Sequence, residues 1–117
     1  MSTIVIDRNL VYRLLKQVPK GKVTSYKALA EAAGNPKASR AVGAFMRTNP
    51  YAPIVPCHRV VYSDGRLGGF SGKIRIKEKI KMLEEEGVIV RNDRVERFKE
   101  HYFDRFSIER AKKEALP

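Results

Sequence analysis

Residues 24–47 read Thr24-Ser-Tyr-Lys-Ala-Leu-Ala-Glu-Ala-Ala-Gly34-Asn35-Pro36-Lys-Ala-Ser-Arg40-Ala-Val-Gly43-Ala-Phe-Met-Arg47, two helical patterns hinged on one glycine. Thr24 or Ser25 offers a hydroxyl to cap the first helix, Ala28, Leu29 and Ala32 form its apolar stripe, and Gly34 suits the left-handed position past its end. Asn35 then caps, and Pro36 opens, a second helix predicted over 36–47. Its Ala38, Ala41, Val42, Ala44 and Phe45 are small or apolar, while Arg40 and Arg47 project elsewhere. Two short helices joined in this way make a helix-turn-helix, a unit that either reads DNA or simply packs. The fold class expected is α+β, mainly α: one small domain with a helix-turn-helix, winged-helix-like, and short strands.

Before this unit, Leu10, Val11, Leu14, Leu15 and Val18 recur at helical spacing until Pro19-Lys20-Gly21 ends the run. After it, Asn49-Pro50 stops the helix, and Pro53 and Pro56 bracket a stretch that cannot be helical throughout. His58 to Tyr62 is β-prone and runs into a turn at Ser63-Asp64-Gly65, then a glycine-rich loop over 65–72. The loop lacks phosphate-loop spacing, so its glycines are expected to let backbone approach a ligand closely. A helix is predicted from Lys73 to Glu86, with Ile76, Ile80 and Leu83 on one face and Gly87 as its stop. Val88-Ile89-Val90 and Asn92-Asp93 predict a strand and a turn. In the tail, Val95, Phe98, Tyr102 and Phe106 predict one docked amphipathic helix.

With 117 residues of which 43% are hydrophobic, the chain has material for one core, so residues 1–117 are expected to form one domain, a core of about 7–90 and a helical tail of about 91–117. No stretch approaches the roughly 18 apolar residues of a membrane span, and residues 1–7 lack signal-peptide character, so a soluble intracellular protein is expected. One cysteine excludes an internal disulfide, and with His58 and His101 alone beside it no four-ligand zinc set of the usual kind is expected. Lys and Arg number 24 against 13 Asp and Glu, for a formal charge of +11. That surplus fits a protein that neutralises phosphates, and it equally fits a solvated surface or a heat-stable one.

The cysteine lies in Pro56-Cys57-His58-Arg59-Val60, at a helix-breaking entry. A neighbouring base or cation can shift a thiol toward the nucleophilic thiolate, and His58 and Arg59 are the candidates. Adjacency alone does not make contact, since successive side chains of an extended segment face opposite ways. The other reading is a small buried apolar residue beside a satisfied core histidine.

The ordered set Arg40-Ala-Val-Gly43, Asn49-Pro50, Val55-Pro-Cys-His-Arg-Val-Val61, Gly69-Phe-Ser-Gly72, Lys77 and Leu83 to Glu86-Gly87 resembles the active-site domain of the O6-alkylguanine-DNA alkyltransferases, also called methylated-DNA–protein-cysteine methyltransferases. The resemblance spans about Asp7 to Val90. It implies a protein that binds duplex DNA in the minor groove, extrudes an O6-alkylated guanine and moves the alkyl group irreversibly to its own cysteine, without a cofactor. By that resemblance Cys57 is the acceptor, exposed at the mouth of a nucleobase cavity. His58 with a water is the base, Glu86 orients the imidazole, and Asn49 holds the Cys57 loop. Tyr26 supplies a proton toward the departing guanine, and Arg40 fills the gap in the base stack. Ala38, Ala41, Gly43 and Arg47 meet DNA, and Val60, Phe70, Ser71 and Gly72 form the base pocket.

A monomer is implied, cytoplasmic and nucleoid-associated, or nuclear in a eukaryote. Many family members carry a further N-terminal domain that these residues do not encode, so a separate protein partner in its place is one expectation. The tail is longer and more basic than the family pattern, and Phe70 stands where tyrosine is frequent. The alternative within the resemblance is an alkyltransferase-like protein that binds the lesion and recruits other factors; those proteins lack a cysteine at this position. A cysteine hydrolase is a weaker rival, with no oxyanion arrangement to support it.

Overall fold

The computed structural model describes residues 5–68 and 75–117. Asp7 accepts the Leu10 N–H (3.2 Å) and starts α1, Arg8–Leu15, whose Val11, Tyr12, Leu14 and Leu15 are buried. Strand β1, Thr24–Ser25, runs directly into α2, Tyr26–Ala32; of the two hydroxyls it is Ser25 that caps, accepting the Ala28 N–H at 3.0 Å. Gly34, at φ +93°, closes α2 in the left-handed conformation expected of it.

The second helix of the pair, α3, spans Ser39–Arg47 and starts three residues later than the sequence pattern suggests. Asn35 caps a separate turn: its Oδ1 accepts from Lys37 N–H, and its carbonyl accepts from Ala38 N–H. The first helical bond is therefore Val42 N–H to Ala38 O. A 3₁₀ turn over Cys57–Arg59 then delivers the chain into β2, Val60–Val61, which pairs in parallel with β1. Strand alternation sends Val60 into the core around α1–α3 and Val61 into a second apolar cluster with Val23, Leu67, Leu83, Val88 and Val95.

Helix α4, Ile76–Glu85, ends at Gly87 (φ +88°). β3, Val90–Arg91, and β4, Arg94–Val95, form a hairpin whose two turn residues, Asn92 and Asp93, are both left-handed, as a tight primed turn requires. Gly68, at φ +75°, is required within the fold, since a Cβ there would lie 2.8 Å from the Tyr62 ring; residues 69–72 of the loop lie outside the described residues. Among the described residues the result is a small, mainly α fold of six helices with short strands.

The tail is not one helix. Val95 sits in β4, α5 is the single turn Phe98–His101, Tyr102 is extended, and α6 spans Ile108–Lys113. The open edge of β1 explains the break: Val23 donates to His101 O (2.9 Å) and receives the Phe103 N–H (2.7 Å). An extended segment satisfies that edge, and the apolar residues still reach the core.

Candidate functional site

Pro56, at φ −83° and ψ 71°, is the centre of an inverse γ-turn in which Cys57 N–H bonds Val55 O at 2.8 Å. Asn49 staples this turn to the end of α3: its Nδ2 donates to Val55 O (2.9 Å), its Oδ1 accepts from Tyr51 N–H (2.9 Å), and its side chain also bonds the Cys57 thiol. The expectation of an exposed thiol is corrected here. Cys57 is fully buried in the core cluster, and burial pushes its thiol up, with the Asn49 hydrogen bond opposing.

His58 is buried beside it. Its Nε2 lies 3.0 Å from Glu86 Oε2, at the C-terminal cap of α4. Burial works to raise the Glu86 carboxyl, but hydrogen bonds from Arg59 and His58 outweigh it and hold the group ionised. Burial lowers His58, with the Glu86 bond partly compensating, so the imidazole is neutral. Because a carboxylate only accepts, the Nε2 carries the hydrogen and Nδ1 keeps its lone pair. That Nδ1 is buried and has no hydrogen-bond partner among the described residues.

Arg59, a sequence candidate for activating the thiol, turns away from it. It grips Glu86 through Nε to Oε1 (2.9 Å) and Nη2 to Oε2 (2.7 Å), and its Nη1 bonds Val18 O (2.8 Å). Lys79 was not foreseen. It is completely buried, donating to Val60 O (2.7 Å) and Leu67 O (2.9 Å), and burial lowers its amine to about 8, with the field of Cys57 opposing. The signal was present: Lys79 lies three residues after Ile76 and four before Leu83, on the apolar stripe.

A groove of about 830 Å³ opens in front of α3, within the range of ordinary ligand sites, lined by Tyr26, Ser39, Arg40, Gly43, Arg47 and Tyr62 among others. The Tyr26 and Tyr62 rings lie 5.3 Å apart at a tilt of 53°. Arg40, Gly43 and Arg47 share a helical face by spacing, and both arginines are exposed. Ala38 does not belong to that face. It is buried in the core, because the helix begins after it, and Ala41 packs partly against the same cluster. Cys57 and Val60 are not among the groove's lining residues, and both are fully buried. Phe70, Ser71 and Gly72 lie outside the described residues.

Helices α2 and α3 thus form a helix-turn-helix, and Asn49 ties the end of α3 to the turn that carries Cys57, next to the Glu86–His58 pair. Residues 8–88 match the family model described as 6-O-methylguanine DNA methyltransferase, DNA binding domain, and the chain belongs to that family. It is similar to the human methylated-DNA–protein-cysteine methyltransferase, 54% identical over 71 residues, covering 61% of this chain and 34% of that protein. Among solved structures it is similar to Mycobacterium tuberculosis OGT in complex with DNA, at TM-score 0.64 and 41% identity, covering 68% of this chain and 48% of that one. It is also similar to S. pombe Atl1 in complex with damaged DNA containing O6-carboxymethylguanine, at TM-score 0.69 and 28% identity, covering 86% of this chain and 98% of that one. The chain thus spans about a third of the human relative's length.

Proposed function

We propose that this chain binds O6-alkylguanine in duplex DNA, turns the base out of the stack and transfers its alkyl group once to Cys57. The observation that carries this is the Glu86–His58 pair next to the thiol turn, with the imidazole neutral and its Nδ1 lacking another partner. A raised thiol is a poor nucleophile until its proton leaves, so activation at the moment of attack, by a base already oriented, is the route this arrangement favours.

In the proposed step the Cys57 proton passes to His58 Nδ1, through one bridging water, and Glu86 stabilises the imidazolium. Sγ attacks the alkyl carbon as the carbon–O6 bond breaks, and that electron pair goes to guanine. Tyr26 O–H protonates the ring and recovers its proton from the imidazolium by way of solvent. The thiol hydrogen is thereby exchanged for the alkyl group, and the thioether has no route back. Extrusion costs a few kcal/mol, which phosphate contacts from the basic surface offset. α3 enters the minor groove with Gly43 allowing close approach, Arg40 fills the vacated stack and Arg47 contacts backbone. Since Cys57 is fully buried and does not line the groove, the base reaches it only once the side chains that cover the thiol move. Asn49, bonded to both the thiol and the turn, is where DNA contact at α3 would be felt.

Two features favour a second reading, that of a lesion binder without transfer: the likeness to Atl1 covers nearly all of that chain, and the thiol is withdrawn from the surface. The two part in a mass measurement. After incubation with an oligonucleotide containing O6-methylguanine, the Cys57 peptide is expected to gain a single methylene, and Cys57→Ala to bind the DNA and gain nothing. Tight binding by the unmodified chain with no mass change leaves the binder as the function.

A further inference from the structure

We infer that the segment after the hairpin is a working part of the lesion site, with Tyr102 as a positioning residue for Tyr26. This deepens the proposed function and rests on its assignment of Tyr26. The segment lies beyond residues 8–88, the part matched by the family model, and it meets the chain at two residues just before α2. At Val23 it pairs backbone to backbone, through the bonds to His101 O and from Phe103 N–H. At Ser25 the Tyr102 hydroxyl lies 2.9 Å from Oγ, the same atom that caps α2 by accepting the Ala28 N–H.

Tyr26 is the next residue and the first of α2. Its backbone is therefore set by a cap that Tyr102 holds from outside, and Tyr102 is itself fixed by Phe98, whose ring lies 5.1 Å away. The same segment builds a second groove, of about 490 Å³, where Tyr102 and Phe106 face Ala28 and Ala32. Lys27, the residue after Tyr26, and Ser63 line this groove as well as the one in front of α3. A network of this kind couples the residues at its ends, and coupling is read by a double-mutant cycle.

The test uses the full chain with Tyr102→Phe, which keeps the ring on Phe98 and removes the hydroxyl. Single-turnover transfer from an O6-methylguanine duplex is expected to slow about fivefold at saturating DNA, the effect of one modest hydrogen bond. Affinity for unmodified duplex is expected to stay unchanged. In a Tyr26→Phe background the second substitution is expected to cost nothing more. Equal slowing in both backgrounds, or none in either, overturns the inference. Should the unmodified chain take up no methyl group, the transfer reading fails separately. The cycle is then read on the ratio of affinities for lesion and unmodified duplex, where additivity overturns the inference and non-additivity supports it.

Discussion

Around one sulfur the chain buries an amine, an imidazole and a thiol and half-buries a guanidinium–carboxylate pair, and each is held by a different device. Glu86 is kept ionised by two donors, His58 is kept neutral by burial, and Lys79 is held by two carbonyls, with the fields of Cys57 and Asp93 favouring its charge. Those carbonyls belong to β2 and to Leu67, so the amine ties the strand after Cys57 to the chain beyond the turn. Its charge is a cost that the folded state bears. With a folded value of about 8 against 10.5 in the open chain, Lys79 binds fewer protons folded than unfolded between those values. The penalty is thus present in full below pH 8 and relieved as pH rises above it. Compared with Lys79→Met, the unmodified chain is expected to gain about 2 kcal/mol of relative stability between pH 7.5 and 9.5. Urea unfolding of both proteins at the two pH values measures this; a constant difference means that the amine does not titrate in this window.

The helices whose apolar spacing is matched by a cap or a stop were legible at the scale of the element. Ser25 and Gly34 bracket α2, and Gly87 ends α4, because local backbone geometry alone demands those residues. The start of α3 was not, since Asn35 can cap a turn or a helix and only the carbonyl that Ala38 bonds decides between them. The tail failed for a different reason: apolar residues three and four apart suit a helix, but the open edge of β1 is a tertiary demand that no local pattern shows. The thiol's burial was one of two readings the sequence left open, because it depends on which elements close over Pro56. On α3 itself, Gly43 is a helix-interior glycine with no backbone need, and a Cβ there would meet only Arg47 Nη1 at 3.8 Å. Gly43→Ala is therefore expected to stabilise the fold by about 1 kcal/mol. It also places a methyl on the groove lining, so DNA affinity is expected to fall at the same time. Thermal melting and a duplex titration read the two effects, and affinity that rises with stability would remove α3's glycine face from the interface.

For the whole molecule, charge and closure are divided between two parts of the chain. Residues 1–90 carry sixteen basic and seven acidic side chains, and residues 91–117 eight and six, so most of the surplus that suits a polyanion resides in the part of the chain before the tail. The tail closes the fold instead. α6 packs on α1 with Ala111 fully buried, Arg13 and Lys16 donate to Glu114 O and Ala115 O, and Lys16 pairs with Glu114 at 2.8 Å. Exposed pairs of this kind add little. The contact that matters is Gln17, whose amide donates to Ser107 O (2.8 Å) and accepts from Ser107 N–H (2.9 Å), satisfying both backbone groups of the residue that caps α6. Gln17→Ala leaves the Ser107 N–H unpaired in a half-buried place, while the Ser107 carbonyl still accepts the Ala111 N–H, and is expected to cost about 1 kcal/mol. Hydrogen exchange separates the outcomes. If α6 docks as a closing element, protection is lost first over 107–113 and then across the Val23–Phe103 pairing, while α2 and α3 keep theirs; uniform loss through all helices would show instead that the tail and the DNA-facing half unfold as one unit.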